Sequence, residues 1–427
     1  MSRGRTSRGR HGASGRGYRG GFPGDWRTSP PSNINDLPPE RDILEGIHIT
    51  TPPESISKST LLFSTEMAIK DIEYIGSYNW TGAKEPTIIV PGSPPVWNDR
   101  SPPFTLSPDS GFQTIHQNGY RSPASPLGPL FAAVDTLQKA VDWASIDIIA
   151  DRSSLRKLMR WIGGSAHREF RIDLELVGEK TVLFNRWETR HMESAEGTGY
   201  GVNFENETTN AYKGCSASTG HHRIIKYDFS DLQMVLRFEV DACLQTTEIP
   251  LDSSSSGDIS DLLSGMSLGG SSATQESTGT APIEIKGYTS PPLNIILAGQ
   301  EVPQAALVEL TTRNERWFHD FHWDEVIPQL YLSSTPHLYI GLHNRGTFSE
   351  VRKYEIGGEE MEGRKRTVAA NFLKLAGTLR KIQKLARDHG EKERLSLVCR
   401  EGVLEVYSRV SAASCLSEDV RKRFVAG

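Results

Sequence analysis

Two acidic residues in a β-type run of this 427-residue chain have a spacing that could support chemistry. In Arg237-Phe238-Glu239-Val240-Asp241-Ala242, Glu239 and Asp241 lie two positions apart, so both project from one face of a strand. Neighbouring carboxylates repel each other unless one is protonated or a cation compensates them. Oxygen ligands of this kind suit Mg²⁺ or Mn²⁺. The pair indicates a divalent-metal site. A solvated strand face is the alternative, and we prefer that interpretation for Asp173-Leu174-Glu175.

A second run beyond a Ser/Gly-rich stretch strengthens the metal-site interpretation. In Ala281-Pro282-Ile283-Glu284-Ile285-Lys286-Gly287-Tyr288, Glu284 and Lys286 share one strand face. The order strand, loop, strand would allow this face to adjoin that of Glu239 in one sheet. The spacing is the acid-x-Lys arrangement of the PD-(D/E)XK nucleases. There, carboxylates hold a metal that activates water, and an ammonium offsets charge at the attacked phosphorus.

Two upstream motifs make the resemblance more specific. Arg152 opens a predicted helix just after a predicted strand, and Gly201-Val202-Asn203-Phe204-Glu205 puts a further carboxylate on a predicted short helix. The ordered series of Arg, Gly-hydrophobic-x-x-Glu, Glu-hydrophobic-Asp and Glu-hydrophobic-Lys resembles the motifs of the DXO family. These eukaryotic enzymes of RNA 5′-end quality control remove aberrant or NAD-type caps and degrade RNA from the 5′ end. The resemblance covers about residues 70–410.

The downstream part of the resemblance contains both agreements and departures. Gln329, Pro336 and Gly341 are spaced like the family's Gln-containing helix and the strand after it. The chain has Gly341-Leu342-His343 where the family has Gly-aromatic-Arg, and His or Asp replaces a family lysine within residues 317–323. We expect these departures to alter the preferred substrate end more than the metal centre.

The resemblance implies a role for each matching residue. It implies metal ligation by Glu205, Glu239, Asp241, Glu284 and the Ile285 carbonyl, assistance of the attacking water by Lys286, binding of the RNA 5′-phosphate region by Arg152, and lining of the site by Gln329. The implied cofactor is Mg²⁺ or Mn²⁺.

The implied function is a divalent-metal-dependent hydrolase acting on RNA 5′ ends. It would remove incomplete or NAD-type caps or pyrophosphate, and it would have 5′–3′ exonuclease activity. We expect it in the nucleus, with the cytoplasm as a second location. The rival hypothesis is a non-catalytic RNA-binding scaffold that stabilises a nuclear 5′–3′ exoribonuclease.

The elements that must position these residues form a mixed pattern. Antiparallel hairpins interspersed with amphipathic helices predict an α+β fold, which we interpret as one mixed-sheet PD-(D/E)XK-like nuclease domain with flanking helices. The predicted elements are helices over 127–141, 153–161 and 368–385, a strand over 146–149, and hairpins over 170–187, 223–244 and 395–407.

Composition divides the chain into four parts. Residues 1–40 are Arg/Gly-rich and predict a disordered arm, because they contain too little apolar surface to offset chain entropy. The predicted nuclease domain spans 70–410 with a Ser/Gly-rich loop insertion at 251–280, and 411–427 form a C-terminal tail. Residues 1–27 carry seven arginines and one acid, so a +6 arm precedes a −11 body. The arm could contact RNA or act only as a solubilising tail.

Several other classes lack sequence support. No apolar run approaches the roughly 18 residues needed to span a bilayer, so we expect no membrane association. The four cysteines share no C-x-x-C spacing, which favours buried thiols in a reducing compartment over zinc ligation. His221 and His222 face opposite ways on a predicted strand, so they indicate polar residues at a strand entrance rather than a catalytic dyad.

Overall fold

The structure is a computed structural model that describes residues 37–50, 53–58, 69–164, 168–197, 199–245 and 282–425. The predicted loop insertion at 251–280 and all but the last four residues of the predicted arm therefore lie outside the described residues. No helix in the described ranges is long and apolar enough to cross a membrane.

The described residues form 21 β-strands. In chain order they are β1 (Glu54–Ile56), β2 (Ile69–Thr81), β3 (Thr87–Gly92), β4 (Val96–Trp97), β5 (Phe104–Thr105), β6 (Phe112–Thr114), β7 (Ile148–Asp151), β8 (Phe170–Val177), β9 (Thr181–Arg186), β10 (Met192–Ser194), β11 (Thr209–Asn210), β12 (Ser218–Phe229), β13 (Gln233–Val240), β14 (Ala242–Cys243), β15 (Ile283–Ile285), β16 (Leu293–Gly299), β17 (Leu307–Asn314), β18 (His337–Asn344), β19 (Thr347–Glu355), β20 (Arg394–Arg400) and β21 (Val403–Ser408).

Seven α-helices connect these strands within the described residues. They are α1 (Gln117–Arg121), α2 (Gly128–Thr136), α3 (Arg152–Gly163), α4 (Gly201–Thr208), α5 (Trp323–Ser333), α6 (Glu359–His389) and α7 (Glu418–Arg421). Short 3₁₀ helices lie at Trp143–Ser145, Gln304–Ala306, Glu315–Asp320 and Lys422–Phe424.

The strands divide between two large mixed sheets and one small sheet. The first has 12 strands in the order β1-β21-β20-β8-β9-β7-β13-β12-β2-β3-β16-β15. The second has seven, β11-β4-β14-β17-β18-β19-β5, and β6 pairs with β10. Both large sheets combine parallel and antiparallel pairs. The predicted α+β class is confirmed, with the strands arranged in two large sheets instead of one.

One stretch of chain passes from the first large sheet to the second. Strand β13 ends at Val240 in the first sheet, and β14 begins at Ala242 in the second, so Asp241 lies at the crossing. The crossing is positioned by the β12–β13 hairpin, whose turn residues Ser230 and Asp231 have φ values of 51° and 63°. Two consecutive left-handed residues give the tight turn whose twist matches antiparallel strands.

Helices cover both faces of the first large sheet. On one face α3, α5 and α6 bury residues such as Leu158, Leu330 and Phe372 against alternate positions of β13, including Leu236. On the other face α2 packs against the next position, Val235. The sheet is therefore a central layer whose middle strands lose solvent on both sides.

This two-sided burial corrects one sequence-based interpretation. Asp173 and Glu175 on β8 are not solvated, because they are only 7% and 1% exposed. Each is compensated by a buried cation, since Arg171 Nε lies 2.6 Å from Asp173 and Arg394 Nη2 lies 3.0 Å from Glu175.

Two predicted boundaries also differ from the structure. The helix predicted over 127–141 ends at Thr136, and Gln138 has a φ of 51°. The predicted tail, where described, contains α7 and packs into the core. Leu416, Val420 and Phe424 recur every four residues, and all three are buried in the same core as α2, on that face of the first large sheet.

A buried ion pair joins the central strands to α3. Arg237 on β13 donates to both carboxylate oxygens of Asp151 at 2.7 and 3.0 Å. Arg237 also donates to the Tyr78 hydroxyl at 3.2 Å and the Pro126 carbonyl at 2.7 Å. Asp151 is the last residue of β7 and precedes the first residue of α3, so the pair fixes where that helix begins.

Removing one member of this pair should strongly destabilise the protein. We expect Asp151→Ala to lower the free energy of unfolding by about 3–5 kcal/mol, because it leaves a buried guanidinium uncompensated. Urea denaturation followed by circular dichroism measures this change. Glu350→Ala breaks the exposed pair with Arg352 and should cost no more than about 1 kcal/mol. Equal losses in the two variants would contradict the structural role of the buried pair.

Candidate functional site

Four carboxylates meet where the chain crosses between the two large sheets. In the antiparallel β14–β17 pair, Ala242 lies opposite Val308, which puts Asp241 next to Glu309 at the adjoining position. The backbone N–H of Leu310 donates to Asp241 Oδ2 at 2.8 Å and fixes that carboxylate. Glu239 precedes the crossing by two residues. The fourth carboxylate, Glu205, comes from α4.

An aromatic cluster and an aspartate position α4. Asp109 accepts hydrogen bonds from the backbone N–H groups of Val202 and Asn203 at 3.2 and 2.9 Å, satisfying free donors in the first turn. Phe204 is fully buried and stacks on Phe348 with ring centroids 5.0 Å apart. Because Phe204 faces this cluster, its neighbour Glu205 turns toward the crossing and lines the same cavity as Glu239 and Asp241.

Arg152 supplies positive charge next to these acids. It is the first residue of α3 and is only 7% exposed. Its guanidinium donates to Glu309 Oε2 at 2.9 Å, to Ser333 Oγ at 3.1 Å and to the Glu239 carbonyl at 3.3 Å. The side-chain amide of Gln329 on α5 donates to the other oxygen of Glu309. Glu309 is therefore held at both oxygens.

The electrostatics of the cluster favour a cation. Burial, together with the nearby charges of Glu239, Glu309 and Asp109, raises the pKa of Glu205 to about 8. Burial likewise raises the pKa of Asp241 well above its usual range, with Glu309 and Glu205 adding to the effect. Burial also raises the pKa of Glu239, but there Arg186 and Arg152 oppose it. In their ionised forms these carboxylates are therefore unfavourable in the buried site, and a bound cation would stabilise them.

Two cavities open on the cluster, with volumes of about 330 and 270 Å³. Glu239 and Asp241 line both of them. The first also contains Glu205, whereas the second contains Glu309 together with the cations Arg152, Arg156, Arg186 and Arg237. A ligand on the acidic residues would therefore have an arginine-rich wall on one side.

The structure brings together five of the sequence-predicted site residues: Glu205, Glu239, Asp241, Arg152 and Gln329. It does not bring Glu284, Ile285 and Lys286 to them. These three lie on or beside β15, the edge strand of the first large sheet, with four strands between β15 and β13. At about 4.8 Å per strand, the separation is roughly 24 Å.

The sequence-based placement of Glu284 and Lys286 beside Glu239 is therefore wrong. Their side chains are 56% and 80% exposed and pair with each other at 3.6 Å. The physical reason is that β12, β2, β3 and β16 insert between the two strands, and a local spacing of two residues carries no information on which strands become neighbours.

Glu309 is the site residue that sequence reasoning missed. Its strand has Glu309-Leu310-Thr311, so the acid and the hydrophobic residue of the acid-x-Lys pattern are present, but Thr311 stands at the lysine position. A search for the complete pattern passes over it. The available signal is an acid at an inward position of the otherwise apolar run that begins β17, where Val308 and Leu310 are buried beside it.

His221 and His222 face opposite sides of β12, as predicted. His221 Nδ1 lies 2.7 Å from the amide oxygen of Asn79, and His222 stacks on Tyr78 at 5.1 Å. The first lines the 330 Å³ cavity and the second lines the 270 Å³ cavity. The two histidines do not form a dyad.

Comparison with known proteins places the chain in a family. The model of a domain of unknown function, DUF8563, matches residues 47–425. The chain belongs to the DUF8563 family. No curated protein sequence matches this DUF8563 chain.

Solved structures show what this DUF8563 fold is similar to. S. pombe Rai1 in complex with 3′-FADP matches with a TM-score of 0.54 and 11% identity, covering 84% of this chain and 99% of that chain. Scheffersomyces stipitis Rai1 in complex with 3′-NADP⁺ and a calcium ion matches with a TM-score of 0.51 and 12% identity, covering 88% and 96%. Candida albicans Rai1 in complex with pU5 and Mn²⁺ has values of 0.50 and 10%, covering 88% and 99%. The predicted resemblance to the DXO family is confirmed in the fold.

Adding one methyl group at Gly341 should disturb the support of Glu205. A Cβ there would lie 2.6 Å from Phe204 Cε2 and 2.8 Å from Phe348 Cε1. We expect Gly341→Ala to destabilise the protein by about 1–3 kcal/mol through overpacking, measured by urea denaturation. Gly363→Ala is the matched control, because a Cβ at this position in α6 meets no atom within 4 Å. It should leave stability unchanged or raise it by up to about 1 kcal/mol. A neutral Gly341→Ala would contradict the tight packing.

Proposed function

We propose that this DUF8563 protein is a divalent-metal-dependent hydrolase acting on RNA 5′ ends. The observation that carries the proposal is the convergence of Glu205, Glu239, Asp241 and Glu309 at one crossing, next to the buried cation Arg152. Paired carboxylates beside a guanidinium can hold a cation and the phosphate that it acts on.

The donor set fits a hard divalent cation in its chemistry. Carboxylate oxygens are the ligands that Mg²⁺ and Mn²⁺ prefer. Burial, and after it repulsion between the acids, raises the pKa of Glu205 and of Asp241, and a bound cation would offset both effects. Although the four carboxylates lie around one crossing, no three acidic, histidine or cysteine side chains in the described part of the chain are in position to hold an ion without moving. Glu205, Glu239 and Asp241 would hold it after side-chain rotation. Once bound, such a metal activates water and stabilises the leaving oxygen.

The chain's own residues would orient the substrate. The guanidinium of Arg152 can turn a free N–H toward a phosphate while it stays paired with Glu309. Gln329 and Arg152 hold the two oxygens of Glu309, so this carboxylate stays fixed at the back of the cleft. Arg186 and Arg156 line the adjoining wall, where they can compensate the charge of further phosphates.

The ligands of the structurally similar proteins agree with this choice of substrate. C. albicans Rai1 is bound to pU5 and Mn²⁺, and S. pombe Rai1 is bound to 3′-FADP. We extend this chemistry to the DUF8563 protein as a proposal: a nucleotide chain with a 5′ phosphate or a nucleotide cap as substrate, and Mn²⁺ or Mg²⁺ as cofactor.

An end-group assay tests the proposed activity. We expect the purified protein with Mn²⁺ or Mg²⁺ to release product from RNA that bears a 5′ monophosphate, triphosphate, unmethylated guanosine cap or NAD. Asp241→Asn should reduce the rate at least about 100-fold, because the variant removes a cation-binding charge without changing side-chain size.

The matched control for the assay is Glu284→Gln. It removes the same kind of charge from the exposed edge strand, and we expect its rate to equal that of the wild type. Equal rates for the wild type and Asp241→Asn on every RNA 5′ end would refute the proposed hydrolase activity. A selective loss in Glu284→Gln would restore the assignment made from the sequence.

A second candidate function follows from Thr311. The acid-x-Lys pattern supplies an ammonium at the position that Thr311 occupies, and a hydroxyl cannot replace that charge. In addition, Glu309 is already neutralised by Arg152. These observations favour a non-catalytic RNA-binding protein that supports a partner 5′–3′ exoribonuclease.

Calorimetric titration with Mn²⁺ separates the two candidates. For the hydrolase we expect binding that weakens at least about tenfold in Glu239→Gln, because one carboxylate ligand is lost. Glu284→Gln should bind as the wild type does. A scaffold would show either no binding or binding that does not depend on Glu239.

A further inference from the structure

A third cavity, of about 630 Å³, lies on the far side of Arg186 from the acidic residues. We call it the arginine basin and define it by Arg41, Arg171, Arg186, Arg409, His116 and His191. Its volume is within the range of small-molecule sites. The four carboxylates of the acidic site, Glu205, Glu239, Asp241 and Glu309, do not line this cavity.

Positive charge exceeds negative charge around the basin. Asp173 forms ion pairs with two cations, because Arg171 Nε lies 2.6 Å and Arg409 Nε 3.6 Å from its carboxylate oxygens. Glu188 also forms ion pairs with two cations, Arg186 at 2.6 Å and Lys157 at 2.8 Å.

Arg41 is a fourth cation at this cavity, and among the described residues its side chain donates a hydrogen bond to the backbone carbonyl of Glu188 at 2.6 Å. Glu45 also lines the cavity. Four arginines and two carboxylates, Glu45 and Asp173, therefore line the cavity.

Some buried nitrogen atoms at the basin make no hydrogen bond to the described residues. His116 is only 2% exposed, and neither of its ring nitrogens has a hydrogen-bond partner there. The same holds for His191 Nδ1, and Arg409 Nε makes no hydrogen bond but forms the 3.6 Å ion pair with Asp173. Burial and the charge of Arg41 lower the pKa of His191 to about 4, which is consistent with a positive local potential. Unpartnered buried donors are costly, so a ligand that accepts hydrogen bonds would satisfy them.

The basin adjoins the acidic site. His116 and Arg186 line both the basin and the 270 Å³ cavity that contains Glu239, Asp241 and Glu309. Arg156 and Ser153 also line the 270 Å³ cavity, and the Ser153 hydroxyl has no hydrogen-bond partner in the described part of the chain. Hydrogen-bond donors therefore line both cavities.

The chemistry of the basin selects an anionic group over a base. Guanidinium groups match phosphate oxygens with paired N–H donors. The natural stacking surface, Trp187, is only 8% exposed and already carries the guanidiniums of Arg41 and Arg171 at 4.7 and 5.1 Å. Its ring is therefore occupied by the protein's own cations.

We propose that the arginine basin is a second phosphate-binding site, connected to the acidic residues through His116 and Arg186. Its ligand is a phosphate group, either of a nucleic-acid strand that extends from the acidic site or of free pyrophosphate. The first source rests on the proposed function, whereas the second does not.

The test is a calorimetric titration of the full chain without metal, so that binding is measured in the absence of hydrolysis. The ligands are sodium pyrophosphate and a ten-nucleotide single-stranded RNA with a 5′ phosphate. Arg409→Gln and, separately, Arg41→Gln remove basin charge at side chains that are half-buried and exposed, respectively, which limits damage to the fold. Arg352→Gln removes the same charge from an exposed ion pair elsewhere and serves as the control.

We expect affinity for at least one ligand to fall about tenfold in both basin variants and to stay unchanged in the control, with all melting curves alike. Loss for pyrophosphate alone identifies a free anion as the ligand, whereas loss for RNA alone or for both ligands identifies the strand. Affinities equal to the control for both ligands would overturn the proposal. A basin that binds pyrophosphate in a protein that hydrolyses no RNA would refute the proposed function and leave the basin standing.

Discussion

The buried pair of Arg237 and Asp151 is the interaction on which the site depends. A charge in the middle of a covered sheet needs an opposite charge and hydrogen bonds, and Arg237 makes four hydrogen bonds, two to Asp151 and one each to the Tyr78 hydroxyl and the Pro126 carbonyl. Arg237 lies directly opposite Asp151 in the parallel β13–β7 pair. The pair thereby fixes the register of the two strands whose ends carry Glu239 and Arg152.

The rest of the cluster follows from that register. Once β7 ends at Asp151, α3 must begin with Arg152 at the same sheet edge where β13 ends. Arg152 then reaches Glu309 on a strand of the other large sheet. Glu205 lines one of the two cavities on the cluster, and the arginines line the other. In the second cavity Arg152 neutralises Glu309, whereas Glu205 faces the cavity whose described lining contains no arginine.

Local features of the sequence predicted much of this structure. The alternation in β8 and β9, the helix from Val368 to Leu385 and the motifs around Glu205, Glu239 and Asp241 depend on spacing within one element, and the structure contains each of these elements. Strand order could not be predicted in this way, because it is set by which hydrophobic faces pack together. For that reason Glu284 was placed beside Glu239, although four strands separate them.

The missed residue has the same physical explanation. Glu309 is close to Asp241 only through the pairing of β14 with β17, whose contact is invisible to a motif that ends in lysine. Burial was equally hard to judge. Asp173 was assigned to a solvated face because its strand alternates, but an alternating strand can also be covered on both faces when arginines are available to compensate its acids.

The crossing at Asp241 has a mechanical consequence. Because β13 and β14 are one continuous stretch of chain, neither large sheet can rotate against the other without moving the backbone of Asp241. The distances between the carboxylates therefore change when the angle between the two large sheets changes. Packing changes deep in either core, far from any ligand, would be transmitted to the site as a change of geometry. Because packed interiors transmit strain, the rigidity of the two hydrophobic cores determines how precisely the carboxylates of this cleft are positioned.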